Sequence, residues 1–233
     1  MSFENVLQEL ENLADAEKAV FLSRYFKTGK GQYGENDVFL GITVPVLRSI
    51  AKKYKTLPLD DVRLLLDSAY HEVRMTGLLA LCGQFNLSKD EAKRREIFDF
   101  YLQNTDRINN WDLVDITCRD IVGGYLLDKK DRSILYRLAA SNSLWEQRIA
   151  IISTWTFIKN HEYADTLNIS RQLITHKHDL IHKAIGWMLR ETGKKDKAVL
   201  TAFLDEYRTQ LPRTALRYAI ERFPQDEKKK YMK

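Results

Sequence analysis

The stretch NNWDLVDITCRDIV (residues 109–122) decides how this chain is read. At about 100° per residue, Leu113, Val114, Thr117, Cys118 and Ile121 fall on one apolar stripe, which predicts a helix closed by Gly123 and Gly124. Trp111 and Asp115 are four residues apart and share a face. Asp115 and Arg119 fall on the opposite, polar side, with Trp111 at its margin. A Trp beside a carboxylate on a polar side is a poor way to build a core. It is a good way to present an aromatic wall and a negative charge to a ligand. The competing reading pairs Asp115 with Arg119 one turn later, an exposed contact worth about a few tenths of a kcal/mol.

Moving outward, the pattern recurs. Arg74, Trp111 and Arg148 are spaced 37 and 37 residues apart, and Trp187 follows 39 later. Each lies near the more apolar helix of a pair: HEVRMTGLLAL (71–81), NNWDLVDITC (109–118), LWEQRIAIIST (144–154) and LIHKAIGWMLR (180–190). A period near 40 with two helices per unit is the signature of a HEAT-like or armadillo-like α-solenoid. The expectation is an all-α fold of about six helical pairs, one repeat domain over residues 1–233, with a concave basic face on which Trp111, Asp115, Arg148 and Trp187 converge.

The remaining segments fit this plan. Helices are predicted at 3–13, 16–27, 43–55, 58–68 and 71–85, followed by one capped by Ser88 with Glu91 three residues on. Further helices are predicted at 131–140, 143–159, 162–175, 179–192, 195–209 and 212–222, and the last residues, 228–233, are predicted to fray. No alternating β-branched run bounded by turns suggests a strand. The most Gly-rich stretch, TGKGQYGEND (28–37), is a loop, either a plain connection or a backbone-exposing segment whose Lys30 and Tyr33 meet phosphates.

Charge is uneven. Residues 171–233 hold 15 Lys+Arg against 8 Asp+Glu, whereas residues 1–170 hold 22 against 24, so the last third alone carries the basic excess. That suggests a polyanionic partner, or cations placed for solubility and at helix C-termini. Cys82 and Cys118 lie in apolar runs and read as reduced thiols of a cytoplasmic protein. No signal peptide or membrane span is expected.

In the helix predicted at 179–192, Ile181, Ala184, Ile185, Met188 and Leu189 form the stripe, and Trp187 stands off it between Lys183 and Arg190. This is either a stacking surface with phosphate contacts on both sides or packing against a neighbouring repeat. Arg148 sits in a helix apolar almost all round, so it needs a partner: a structural ion pair, or a clamp on Asp115 or a phosphate. His176, His178 and His182 lack a completing Cys or carboxylate, and His178 precedes the cap expected at Asp179, so no metal is expected. There is no Walker loop, dinucleotide fingerprint or nucleophile elbow, and no cofactor is expected.

At these residues the chain resembles the AlkD group of the DNA alkylation-repair family, bacterial glycosylases built of HEAT-like repeats. The resemblance runs from about Tyr25 to Arg222 through FLGITVP (39–45), NWDLVD (110–115), LWEQRIAI (144–151) and IHKAIGWMLRE (181–191). It implies Asp115, Trp111 and Trp187 as catalytic residues and Arg148, Lys183, Arg190, Tyr25 and Lys30 as DNA-binding ones. It also implies hydrolysis of the N-glycosidic bond of cationic N3- or N7-alkylated purines in duplex DNA, without flipping the base. The expectation is a cytoplasmic protein, monomeric by default, that associates with the nucleoid when bound to DNA. Loop 28–37 is longer than the family's pattern. A non-catalytic HEAT-repeat protein that binds damaged or branched DNA is the alternative, and a protein-binding scaffold, disfavoured by the basic last third, is a third reading.

Overall fold

The computed structural model describes residues 2–232. Among these the structure is all-α, its sole β feature a single bridge between Val38 and Tyr70. The chain divides into two compact units, Met1–Thr117 and Cys118–Lys233.

The first unit contains α1 (Phe3–Glu11), α2 (Ala16–Tyr25), α3 (Val44–Lys53), α4 (Leu59–Leu66), α5 (His71–Leu87) and α6 (Glu91–Gln103). It ends within α7 (Trp111–Cys118). Helix α5 is the spine of this unit. Val73, Met75, Leu78, Leu81 and Phe85 are buried on all its sides, as expected of a helix that is apolar all round, and it packs on α1, α3, α4 and α6. Thr43 is the N-cap residue of α3 by backbone conformation, with a proline in the first turn, but its hydroxyl caps nothing. The Ser88 capping box does not form. Asp90 is the N-cap of α6 and accepts from the Ala92 amide, while the Ser88 hydroxyl closes a turn on Asp90 itself. Both residues suit an N-cap, and the chain takes the one whose carboxylate meets the helix amides.

The second unit contains α8 (Gly124–Leu126), α9 (Ser133–Ala139), α10 (Leu144–Ser153), α11 (Trp155–Lys159), α12 (Ala164–Gln172) and α13 (Asp179–Lys195). It is completed by α14 (Lys197–Tyr207), α15 (Arg213–Ala219) and α16 (Gln225–Met232). Helix α13 packs on α10, α11, α12, α14 and α15, again mostly its neighbours in the chain. Three expectations are corrected here. Gly123 and Gly124 do not close the helix after residue 122: both are helical, and a π-turn over Arg119–Gly123 carries the chain into α8. The widened turn leaves carbonyls to satisfy, and hydroxyls do so, Ser153 donating to Cys118 O and Thr156 to Arg119 O. The helix expected over 143–159 breaks at Thr154, whose hydroxyl turns back to Ile151 O. The tail expected to fray is helical to Met232, tied down where Tyr231 donates to Asp205 and Arg208 donates to Lys230 O; Lys233 lies outside the described residues.

Gly186, inside the KAIGW motif, is where α13 meets α15. A Cβ there would fall 2.5 Å from Ala215 O and 2.5 Å from Tyr218 Cβ. Gly186→Ala is therefore expected to lower stability by about 1–3 kcal/mol, the usual cost of overpacking, measured by chemical denaturation. An unchanged midpoint would show that α15 yields freely.

Candidate functional site

The apolar stripe of α7 is as read: Leu113, Val114, Thr117 and Cys118 are fully buried, with Ile121 beyond in the π-turn. The polar side is not. Asp115 is only 9% exposed, so the carboxylate placed by its angle on an open face is enclosed. Arg119, the partner its spacing suggested, lays its guanidinium over the Trp155 ring, 4.7 Å from the centroid. Trp111 is half-buried and stacks on Phe26 (centroids 5.3 Å, 20°). Tyr25 meets the same indole edge-on at 6.1 Å, and its own ring stacks on Phe21. Tyr25 and Phe21 are 56% and 66% exposed, so an aromatic row runs from Trp111 to the surface along α2, a helix with no buried residue.

Beneath Trp111 lies a cluster of charges that the sequence reading did not find. His71 Nε2 faces Asp112 Oδ2 at 2.9 Å and Nδ1 faces Asp37 Oδ2 at 3.4 Å. Asn110 donates to Asp37 at 2.8 Å, and Arg74 donates to the other Asp37 oxygen and to the carbonyls of Ser68 and Ala69. All five residues are buried. Burial alone would push the His71 pKa down, but the adjoining Asp112 and Asp37 carboxylates overcome it and raise it to about 9. Burial would raise the Asp37 pKa, yet hydrogen bonds from His71 and Asn110 and the charge of Arg74 hold it below the usual carboxylate range. Glu72 is turned elsewhere: its carboxylate accepts the amides of Leu40, Gly41 and Ile42, clamping the FLGIT segment to the head of α5. The signal available in the sequence was that Asn110 and Asp112, both poor core formers, flank Trp111.

Loop 28–37 is folded on itself. The Gly29 amide donates to Gln32 Oε1 and the Gly31 amide to Glu35 Oε2, while the amides of residues 32, 34, 35 and 37 donate to loop or preceding carbonyls. These amides are already used, so the backbone-exposing version of the loop does not hold; its exposed cation is the Lys30 side chain. The loop's structural duty is to deliver Asp37 to the buried cluster.

In the second unit, Trp187 is half-buried beside the fully buried stripe Ile181, Ala184, Ile185, Met188 and Leu189. Lys183 pairs with Asp179 at 2.7 Å, and Arg190 pairs with Glu221 and lies 3.7 Å from Glu191. The Lys183 ammonium, by its hydrogen bond, holds the Asp179 pKa down. Arg148 is buried and donates to Leu180 O, in the first turn of α13. His178, not Asp179, is the N-cap of α13: its Nδ1 accepts from the Leu180 amide, His176 Nδ1 accepts from the His178 amide, and His182 Nε2 faces His176 O.

The model of a protein family described as DNA alkylation repair enzyme matches residues 6–223. A solved structure described as a predicted DNA alkylation repair enzyme from Enterococcus faecalis is similar to the chain, with a TM-score of 0.70 and 19% identity, covering 91% of this chain and 97% of that one. At that identity the likeness speaks for the fold. No curated protein matches the chain.

The buried cluster makes stability depend on pH. The His71 pKa rises on folding from 6.5 to about 9, so the stability it contributes is complete below 6.5 and is lost as pH climbs through about 9; the rise corresponds to something on the order of 3 kcal/mol. Asp37 acts at the other end, its contribution present above 3.8 and lost as pH falls through its lowered value. Thermal melts from pH 6 to 10 are expected to show a falling midpoint on the alkaline side that Asp112→Asn weakens. A midpoint flat across that range would mean that His71 is neutral in the folded protein.

Proposed function

The chain belongs to the DNA alkylation repair enzyme family, and on that premise we propose that it is a DNA glycosylase hydrolysing the N-glycosidic bond of cationic N3- or N7-alkylated purines in duplex DNA. The observation that carries this reading is an enclosed carboxylate, Asp115, one helical turn from Trp111, whose indole is backed by Phe26 and bordered by Tyr25.

The chemistry suits such a pair. An alkylated purine is already positively charged, so the C1′–N9 bond can break with its electron pair moving onto the base, which departs neutral. The deoxyribose is left as an oxocarbenium-like cation, to which water adds at C1′ with loss of a proton. Asp115 stabilises that cation and positions the water, and the π face of Trp111 favours the same charge while excluding bulk solvent. No strong general acid is needed. Trp187 is the third catalytic residue of this reading, by virtue of its half-buried aromatic ring. Lys183, Arg190, Tyr25 and Lys30 contact the DNA. Arg148 acts first by holding the start of α13 through Leu180 O, and any phosphate contact it makes comes from a buried position.

In the same reading the protein is a monomeric HEAT-like repeat protein of the bacterial cytoplasm, meets duplex DNA at the nucleoid and acts without flipping the base or using a metal. No helix among the described residues is long and apolar enough to cross a membrane.

Release of 7-methylguanine and 3-methyladenine from methylated duplex DNA, wild type beside Asp115→Asn, tests the reading. Wild type is expected to release both bases and Asp115→Asn to lose at least about 10²-fold in rate, as when one charge-stabilising group is removed, with duplex binding kept. Release that survives the substitution removes Asp115 from the mechanism. No release by either, with salt-sensitive duplex binding intact, turns the conclusion to the non-catalytic DNA-binding alternative. A second outcome concerns Arg190, which can meet a phosphate only by leaving Glu221. Glu221→Gln is expected to tighten binding of undamaged duplex by about two- to fivefold, the worth of one exposed ion pair, in fluorescence anisotropy. Unchanged or weaker binding would take Arg190 off the DNA surface.

A further inference from the structure

Asn110 and Asp112 stand on either side of Trp111, and each is pinned from another part of the first unit. Asn110 is held by Asp37, and Asp112 by His71. The His71 ring also stacks on Phe39 (4.8 Å, 25°) and leans on Phe26 (5.1 Å), and Phe26 in turn stacks on Trp111. One imidazole is thus tied to the first turn of α7 by a hydrogen bond and to the Trp111 ring through a shared aromatic neighbour.

We propose that His71 is a positioning residue of the reaction, bridging Asp112 to Asp37 so that the start of α7, and with it Trp111 and Asp115, is held at one angle to the deoxyribose. The inference rests on the reading of Asp115 given above. His71 acts through α7 and not on the substrate.

Stability alone is a poor reason for this arrangement. Burying two carboxylates, a guanidinium and an imidazole carries a desolvation penalty that apolar side chains of the same volume avoid. What the cluster supplies is direction. Each hydrogen bond accepts a narrow geometry, whereas apolar contacts can slide, and a misplacement of about 1 Å in a site can cost about 10²-fold in rate. The charged groups facing His71 are Asp112 from α7 and Asp37 from the segment before α3. Arg74, from its own helix, reaches it only through Asp37. The preceding element α2 and its end contribute no charge at this point, only the ring of Phe26, and Glu72 is engaged with the FLGIT amides. Two positive and two negative groups balance while His71 keeps both protons. Loss of one leaves a carboxylate uncompensated and a single N–H to serve two acceptors.

The test is His71→Gln, which keeps a donor for Asp112 but carries no charge. The single-turnover rate of 7-methylguanine release is measured with duplex saturated by enzyme, from pH 6 to 10, beside duplex Kd, circular dichroism and melting midpoint. The wild-type rate is expected to fall as pH passes about 9. The folded variant is expected to be at least about tenfold slower at neutral pH, with Kd within about twofold and no such fall. Should His71→Gln fail to fold, Asp112→Asn carries the same test: its rate is expected to fall at lower pH than that of the wild type, because His71 has lost its nearest negative partner. A variant that melts lower but keeps the wild-type rate and pH profile makes His71 structural and overturns the proposal. Release that depends on Asp115 and not on His71 overturns this proposal alone, whereas no release from the wild type at any pH overturns both.

Discussion

A carboxylate can stay charged in a protein interior only if other groups replace its water, and in the first unit Asp37 meets that requirement with three donors from two places. Arg74 and His71 come from α5 and Asn110 from the approach to α7. His71 then passes the constraint on to Asp112. Removing one partner of a buried charge leaves the other uncompensated, a loss of about 3–5 kcal/mol, against at most about 1 for an exposed pair such as Lys93–Glu96. The many surface ion pairs of this chain are therefore minor beside one buried cluster. The path of loop 28–37, the head of α5 and the start of α7 all follow from where Asp37 must end.

The sequence showed what depends on local periodicity. The stripes of α7 and α13, and the positions of Trp111 and Trp187 beside them, follow from a period of 3.6 and need no knowledge of the neighbouring helices. Asp37, His71 and Asp112 were hidden because they are 34 and 41 residues apart, and nothing in a helical wheel links a loop aspartate to a histidine at a helix start. Asp115 was misread for a related reason. Its angle set it away from the stripe, but angle says which side of a helix a residue occupies, not what covers that side. Gly123 and Gly124 looked like a stop signal because glycine usually is one at a helix end. Here a π-turn carries the helix through both, and close packing explains the first glycine better than chain reversal does: a Cβ on Gly123 would lie 2.4 Å from Ser153 O.

The basic excess of the last third also needs restating once the pairs are known. Lys183, Arg190 and Lys197 face Asp179, Glu221 and Glu227 respectively. A count of cations in the sequence overstates the charge ready to meet a phosphate, because each of these must exchange one anion for another. If these residues bind DNA as proposed, such an exchange weakens binding to any duplex equally and leaves discrimination between damaged and undamaged DNA to contacts with the lesion and its sugar. In the proposed reading the two cations flanking Trp187 are then adjustable parts of the affinity.

This division agrees with what the proposed reaction demands. A purine that already carries a positive charge needs no proton to leave, so little is gained from a strong acid near the base. The barrier lies on the sugar side, where a cation develops at C1′, and a fixed negative charge stabilises it in proportion to how well that charge is placed and how little it must reorganise. A carboxylate on a loose helix would lose much of that advantage, since its dipoles and neighbours would have to settle during the reaction. Asp115 is carried by a helix whose first turn is held on both sides of Trp111, by Asn110 to Asp37 and by Asp112 to His71, and whose Trp111 ring rests on Phe26. The desolvation of four buried ionisable groups makes sense in those terms: it holds one helix still at the place where a single charge must not move.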